Sequence, residues 1–191
     1  MNKSKLHVMK RNLFTLALVF LIATSVKAQM FEEGDKVVNV GIGFGSTYYT
    51  STFNSMVIPP VSASFEIGIK DGVLEEGSIG VGGYVGFSRY KWEYLDWGYN
   101  LTNFILGGRG VFHYPIVDDL DTYAGALLGF RIASSSEFGS AFGYDYNPNT
   151  GGLVLSFYVG GRYYFSDNLA AMMELGYGIS YINLGVSFKL D

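Results

Sequence analysis

Residues 61–70 of the chain are VSASFEIGIK, and apolar side chains alternate with small or polar ones along the whole stretch. One face carries Val61, Ala63, Phe65, Ile67 and Ile69, and the other carries Ser62, Ser64, Glu66, Gly68 and Lys70. Successive side chains of a β-strand point to opposite sides, so this alternation is typical of a strand with two different surroundings. The fold therefore depends on which surroundings each face meets.

The same period of two recurs in seven further segments. They are VVNVGIGFG (37–45), SIGVGGYVGFS (78–88), NFILGGRGVFHY (103–114), TYAGALLGFRI (122–132), LSFYVGGRYYF (155–165), AAMMELGYG (170–178) and YINLGVSFKL (181–190). Each is close to the roughly 9–11 residues that a tilted strand needs to cross a bilayer. Short links alternate with longer ones, so the pattern predicts eight antiparallel strands connected up and down.

The first 28 residues differ from the rest. A basic head with Lys3, Lys5, Lys10 and Arg11 precedes the apolar run LFTLALVFLIATSV (13–26), and Ala28 follows closely. This is the layout of a secretory signal peptide, and it predicts export through the Sec pathway, cleavage after Ala28 and a mature domain of residues 29–191. A retained anchor is the alternative, but the run is shorter than the roughly 20 residues of a spanning helix.

Charge and cysteine content exclude several classes of protein. Charged residues make up 16% of the chain, whereas a soluble domain usually has about 25%. Five of the 13 Lys+Arg lie in the predicted signal peptide, so eight remain against 17 Asp+Glu and the mature charge is −9. That balance argues against nucleic-acid binding, which requires a basic face. The absence of cysteine excludes disulfides and thiol nucleophiles.

The composition of the two faces indicates which one points inward. Soluble barrels of the lipocalin type also alternate, with apolar side chains inside. Here the polar face is mostly Gly, Ser, Asn and Tyr, which suits the narrow interior of an eight-stranded barrel better than a soluble exterior. Aromatic residues near one end of the apolar face form a predicted girdle of Phe112, Tyr114, Tyr163, Phe165 and Phe188. Because such girdles mark membrane interfaces, we predict an all-β transmembrane barrel whose apolar face meets lipid.

Charged residues of the polar face predict a filled lumen. Glu66, Arg109, Arg131, Arg162 and Glu174 all have the parity of that face. Opposite charges attract more strongly where water screens them less, so we expect one network supported by tyrosine hydroxyls. In this arrangement Glu174 has Gly160 and Gly185 as its strand neighbours and lies next to Arg162. The alternative is that lumen water solvates each charge separately.

These features resemble a known family. The signal peptide, the eight amphipathic segments and the stretch GGRYYFSDNLAAMMELGYG…LGVSFKL (160–178 and 184–190) are similar to small outer-membrane β-barrels, namely OmpX-like barrels and the transmembrane domain of OmpA, particularly the stand-alone barrels of Bacteroidetes. The resemblance implies the outer membrane of a Gram-negative cell, with its lipid and lipopolysaccharide, the barrel assembly machinery and periplasmic chaperones as partners. Such proteins usually end on an aromatic residue, whereas this chain ends SFKLD.

Enzymes also occur on such barrels, and they need a nucleophile, a base and an orienting group within reach. His113 is the one histidine of the predicted mature chain, and its parity directs it into the lumen, where we expect a hydrogen-bonded structural role. The acidic stretches DDLD (118–121) and EEG (75–77) lack the spacing of a calcium loop. No helix follows the glycine-rich segments, as a nucleotide loop would require. We therefore predict no catalytic residue, metal or cofactor.

Longer links at residues 46–59, 91–100 and 134–151 are predicted as extracellular loops. Their aromatic residues include Tyr48, Tyr49, Trp92 and Trp97, which are candidates for contact with a surface ligand. Contact with lipid headgroups is the alternative. The sequence thus predicts a non-enzymatic barrel with a structural or surface-interaction role. A narrow pore for small solutes, or a lipid-modifying enzyme, remains a second hypothesis.

Overall fold

The alternating segments form eight strands in the part of the chain that the computed structural model describes, residues 31–45, 54–94, 97–117, 119–139, 151–177 and 179–190. The strands are β1 Lys36–Phe44, β2 Asn54–Val73, β3 Gly77–Tyr94, β4 Trp97–Val117, β5 Leu120–Phe138, β6 Gly152–Ser166, β7 Leu169–Tyr177 and β8 Ile182–Leu190. Within these described ranges no helix has the length and apolar character to cross a membrane. The predicted signal peptide, Tyr48 and Tyr49 lie outside them.

Each strand pairs antiparallel with the next, and β1 also pairs with β8, so the sheet closes into a barrel. On β1, Asn39 lies opposite Ser64 of β2 on one side and opposite Ser187 of β8 on the other. Closure matters because a bilayer offers no hydrogen-bond partners to a free sheet edge. The predicted eight-stranded, up-and-down barrel is confirmed.

The two ends of the barrel differ in their connections. One end, here called the turn end, carries the connections at residues 74–76, 118–119 and 167–168 and both the start of β1 and the end of β8. The opposite end, here called the loop end, carries the remaining connections, the longest of which are residues 45–53 and 139–151. Short turns at one end and longer connections at the other are the arrangement of outer-membrane barrels.

Strands β2 to β5 continue past the ring at the loop end. β5 runs to Phe138, whereas its pairing with β6 ends at Arg131 and Gly152. The remaining part of β5 spans about 20 Å at roughly 3.3 Å per residue. We call this four-stranded extension the projecting sheet. The sequence analysis placed residues 54–59 and 134–138 in loops, but in the structure they belong to the projecting sheet.

The prediction of a loop over residues 91–100 is wrong in its extent. β3 runs to Tyr94 and β4 begins at Trp97, so Trp92 and Trp97 are strand residues of a tight hairpin. Aromatic side chains favour strands and stabilise them by pairing across the ladder. Here the rings of Trp92 and Tyr99 stack with their centroids 5.2 Å apart.

Side chains sort by face along every strand. Outward residues such as Leu128, Phe157 and Val159 are 62%, 56% and 56% exposed. Polar residues that point inward and are buried include Asn39, Ser64, Glu66, Asn103, Arg109, Arg162, Glu174 and Ser187. The apolar face therefore points outward, as the sequence predicts for a barrel in lipid. The inner face supplies the candidate site.

Candidate functional site in the barrel lumen

Arg162 of β6 lies at the centre of a buried ion-pair cluster. Its Nη2 is 2.6 Å from Oε2 of Glu66 on β2, and its Nη1 is 3.0 Å from Oδ2 of Asp121 on β5. The side chains of Arg162 and Glu66 have no exposed surface, and that of Asp121 is 2% exposed. One guanidinium therefore links two carboxylates from strands on different sides of the lumen, in the charge-assisted geometry that gives the strongest hydrogen bonds.

His113 of β4 bridges the same two carboxylates. Its Nδ1 is 2.7 Å from Oδ1 of Asp121 and its Nε2 is 2.5 Å from Oε1 of Glu66. A ring that donates to both acceptors is an imidazolium, which has an N–H on each nitrogen. With Arg162, that form balances the two negative charges. The four side chains then make a closed, neutral ring, here called the lower cluster, near the turn end.

A second group, here called the upper cluster, is built around Arg109 of β4. Its Nη2 is 2.7 Å from Oε1 of Glu174 on β7, and its Nη1 donates to Oγ of Ser64 at 3.1 Å. Tyr158 of β6 presents its ring to the guanidinium at 4.5 Å, within the range of a cation–π contact. Asn183 of β8 donates to the second oxygen of Glu174 at 3.2 Å. The cluster thus takes side chains from five strands.

Tyr123 of β5 joins the two clusters. Its hydroxyl donates to Oε1 of Glu174 at 3.1 Å, while its ring lies 4.7 Å from the guanidinium of Arg162 and 5.3 Å from the ring of His113. The side chain is 4% exposed. A continuous set of contacts therefore crosses the lumen from β2 to β8, and the hydrogen bonds in such a set polarise and strengthen one another.

Glycines of the wall make room for these large side chains. A Cβ at Gly160 would lie 2.7 Å from Cζ of Tyr123, and one at Gly125 would lie 2.5 Å from Cζ of Tyr158. A Cβ at Gly80 would lie 2.5 Å from Oε1 of Glu66. The glycine content of the polar face is thus a packing requirement of a narrow barrel with a charged interior.

Four of the five charged residues that the sequence predicts for the lumen network lie in the two clusters of the structure. They are Glu66, Arg109, Arg162 and Glu174. Arg131 lies toward the loop end of β5, where it is half-buried and its backbone pairs with Gly152. The pairing within the set also differs, because Glu174 bonds Arg109 and not Arg162.

Two members of the lower cluster, Asp121 and His113, were not predicted to belong to the charged network. Asp121 belongs to the acidic stretch DDLD (118–121), outside the predicted strand segment 122–132, but β5 begins at Leu120, so Asp121 is already a strand residue that points inward. The available signal was its spacing of two residues from Tyr123, which is buried on the same inner face. His113 was placed in the lumen, but its two carboxylate partners come from different strands and have no sequence signature.

The register of β7 and β8 also needs correction. Glu174 lies opposite Gly160 as expected, but its partner on β8 is Asn183 and not Gly185. The expected register came from folding the hairpin about residues 178–181, and the observed register, which also pairs Leu175 with Ile182, is shifted from it by two residues. A shift of two residues keeps each side chain on its face, which is why the inward direction of Glu174 is unaffected.

Among the described residues, the free space beside the upper cluster is a cavity of about 30 Å³, which is large enough to hold a water molecule. Arg109, Glu174, Tyr158 and Asn183 contribute to its wall.

The predicted girdle residues lie on the outer face near the turn end. Tyr114, Tyr163, Phe165 and Phe188 are 40–53% exposed, and Phe112 is half-buried. The rings of Phe112 and Tyr114 are 6.3 Å apart. Their position suits the boundary between acyl chains and headgroups at that end.

Aromatic residues also gather on the projecting sheet. Trp92, Trp97 and Tyr99 lie together, with the Trp92 and Trp97 rings edge to face at 5.4 Å. The indole nitrogen of Trp97 donates to Oε1 of Glu137 on β5 at 2.5 Å. These four residues, here called the aromatic platform, share the parity of the inner face, since Trp92 follows buried Tyr90 by two positions.

Comparisons with known proteins support the fold. No protein-family model matches the chain, and no curated protein sequence matches it. Among solved structures, Ail of Yersinia pestis in complex with the heparin analogue sucrose octasulfate matches with a TM-score of 0.50 and 16% identity, over 82% of this chain and 96% of that chain. The N-terminal β-barrel domain of Pseudomonas aeruginosa OprF matches with a TM-score of 0.48 and 15% identity, over 83% and 98%. A de novo designed transmembrane β-barrel matches with a TM-score of 0.45 and 21% identity, over 83% and 98%. The match to Ail shows that the chain has the fold of a small outer-membrane β-barrel.

Proposed function

We propose that the protein is a non-enzymatic outer-membrane barrel whose closed lumen anchors a projecting sheet for contact with a surface ligand. The observation that carries the proposal is the combination of two features in one molecule. Buried ion pairs lie in the lumen, and four of the strands extend about 20 Å past the ring. A filled lumen supports a rigid anchor, and a projecting sheet supports recognition outside the membrane.

The proposed orientation follows from the ends of the barrel. Outer-membrane barrels have short turns toward the periplasm and longer connections toward the outside. The turn end therefore faces the periplasm, and the projecting sheet faces the exterior. The outer face contacts lipid, with lipopolysaccharide in the outer leaflet, and the barrel assembly machinery and periplasmic chaperones deliver the chain after Sec export.

The absence of enzymatic activity is proposed from the chemistry of His113. A histidine base needs a free acceptor nitrogen that faces a hydroxyl or water. Both ring nitrogens of His113 bond carboxylates, and its side chain is 3% exposed. The residue is therefore committed to the lower cluster, which supports a structural role.

The surface role is proposed for the aromatic platform. Trp and Tyr dominate binding energy at many interfaces because they bury a large area with little loss of conformational entropy. Trp97 is also held in place by Glu137, so its ring is preorganised. Contact with headgroups is the competing role, but the platform lies beyond the level at which β5 and β6 separate.

Adhesion measurements test the surface role. Cells that display the wild-type barrel are compared with cells that display Trp92→Ala/Trp97→Ala on surfaces coated with proteins or glycans. We expect wild-type cells to adhere to at least one coating and the variant to lose most of that adhesion. The control is Phe165→Ala, which removes an aromatic residue from the opposite end. Equal adhesion of all three on every coating would reject the surface role.

A further inference from the structure

Residues 31–35, which precede β1, fold back into the mouth of the barrel at the turn end. They are not part of a strand, and Gly34 adopts a φ of +93°, which turns the chain. Phe31 is 5% exposed although it stands outside the sheet, whereas Glu32 and Glu33 are exposed. This segment therefore places one large apolar ring inside the lumen and leaves its charges in water.

The Phe31 ring covers the lower cluster. It stacks on the ring of His113 with the centroids 4.2 Å apart and the planes 25° from parallel. The guanidinium of Arg162 lies 5.7 Å from its centre. Both neighbours can carry positive charge, and the face of an aromatic ring attracts cations. Phe31 is thus placed on the turn-end side of the ion pairs, between them and the mouth.

Backbone hydrogen bonds fix the segment to the wall. Ser78 on β3 donates its hydroxyl to the carbonyl oxygen of Phe31 at 2.6 Å. The amide of Gly34 donates to the carbonyl of Gly68 on β2 at 3.0 Å, and the amide of Gly68 donates to the carbonyl of Asp35 at 2.9 Å. These reciprocal bonds give the segment a single position.

The charged side chains at the mouth add to this attachment. The carboxylate of Asp71 accepts a hydrogen bond from the amide of Glu33 at 2.7 Å. Lys189, near the end of β8, bonds the carboxylate of Asp35 at 2.7 Å. The segment is therefore held from β2, β3 and β8, which together with β1 form one side of the ring.

The wall is shaped for the segment. A Cβ at Gly68 would lie 2.0 Å from the carbonyl oxygen of Glu32, which no side chain can tolerate, and the obstacle is backbone. A Cβ at Gly80 would lie 3.0 Å from Cε1 of Phe31. Both glycines are on the inner face, so neither is required by contact with lipid. They form a recess that residues 31–35 share with the side chain of Glu66.

We propose that residues 31–35 are a stopper that closes the turn end of the lumen. The stopper keeps periplasmic water and ions away from the lower cluster, where exclusion of water strengthens the ion pairs. Its release would open a path from the turn end to His113 and Arg162, while the upper cluster would still block the lumen. The barrel thus has two separate closures, one formed by the wall and one by the N-terminal segment.

Thiol accessibility tests the stopper, because the chain has no cysteine of its own. The reporter is Ser78→Cys, whose S–H can still donate to the Phe31 carbonyl. The purified, folded barrel is treated with a charged methanethiosulfonate reagent, and the labelling rate is measured. We expect slow labelling in the reporter alone. Phe31→Ala in the same background removes an aromatic contact of roughly 0.5–1.5 kcal/mol, so we expect labelling to accelerate by up to about tenfold.

A second variant tests the position of the segment without changing the Phe31 side chain. Gly68→Ala keeps the Phe31 side chain and every side chain of the two clusters, but its added Cβ displaces the backbone of the segment. It should therefore also accelerate labelling. The matched control is Gly83→Ala on the outer face of β3, where an added Cβ meets no atom within 4 Å. This control should label as slowly as the reporter.

Folding is checked in each variant by heat-modifiable gel mobility. Fast labelling in the folded reporter itself would overturn the proposal, as would unchanged rates in both folded Phe31→Ala and Gly68→Ala. These outcomes are independent of adhesion at the loop end, so failure of the stopper and failure of the surface role are distinguishable.

Discussion

Arg162 and Glu66 bond each other directly across the lumen, from strands β6 and β2 that are not neighbours in the sheet. The Nη2–Oε2 distance is 2.6 Å, and neither side chain has exposed surface. They are 96 residues apart in sequence. This contact therefore ties opposite walls of the ring together, in addition to the backbone ladder that joins adjacent strands.

The first prediction concerns how much the contact between Arg162 and Glu66 contributes to the stability of the barrel. Glu66→Gln removes one of the two carboxylates that bond Arg162 and His113, so Asp121 alone is left to balance both groups. Breaking a buried pair from one side typically costs about 3–5 kcal/mol. We expect a loss of that order in the free energy of unfolding, measured by urea titration in lipid vesicles.

A control and a double-mutant cycle, in which Arg162→Met is also measured alone, make this measurement specific. Glu75→Gln changes the same chemistry in an exposed turn and should shift stability by less than about 0.5 kcal/mol. Glu66→Gln combined with Arg162→Met removes the guanidinium and should recover part of the loss. If the double variant is as unstable as the sum of the single ones, the two residues do not act as a pair.

The second prediction concerns the outer face. Val159 is 56% exposed at the middle of β6, and Leu153 is 82% exposed close to the start of the same strand at the loop end. A lysine at mid-bilayer costs about 2–4 kcal/mol in a membrane barrel, but only about 0–1 kcal/mol near the interface. Val159→Lys should therefore destabilise the barrel in vesicles clearly more than Leu153→Lys. Equal losses at the two positions would contradict the assigned membrane level.

Which face a side chain points to could be predicted from sequence because that property is local. The alternation around Phe65 and Glu66 directs one outward and the other inward regardless of what the rest of the chain does. The same parity placed Arg109, His113 and Arg162 in the lumen. A register error of two residues, as at Glu174 and Asn183, leaves this assignment intact.

Which side chains meet across the lumen could not be predicted in the same way. Partners on non-adjacent strands depend on the tilt and stagger of the whole barrel, which only closure fixes. The sequence analysis therefore paired Glu174 with Arg162, whereas in the structure Glu174 forms a salt bridge with Arg109. The stopper was missed because residues 31–35 have no period, and their recess at Gly68 exists only after β2 and β3 have paired.

The third prediction concerns processing. A basic head, an apolar run and the small residues Val26 and Ala28 predict cleavage before Gln29. N-terminal sequencing of protein isolated from outer membranes should begin at Gln29. A protein that begins at Met1 would show that the segment is retained.

The last prediction concerns conductance and depends on the upper cluster. Glu174 accepts hydrogen bonds from Arg109, Tyr123 and Asn183. Its carboxylate therefore links side chains from three different strands, β4, β5 and β8. Removing it leaves the buried Arg109 guanidinium without a carboxylate and enlarges the small cavity beside it.

Glu174→Ala should thus both destabilise the barrel and raise its conductance. An uncompensated buried charge draws water toward itself, because solvation is then the one way to lower its energy. In planar bilayers we expect wild-type protein to conduct poorly, and Glu174→Ala to show larger or more frequent openings. Glu137→Ala is the matched control, because its carboxylate bonds Trp97 on the projecting sheet, beyond the ring. A large, steady wild-type conductance that Glu174→Ala leaves unchanged would mean that water and ions already pass the clusters, and the lumen would then be a pore.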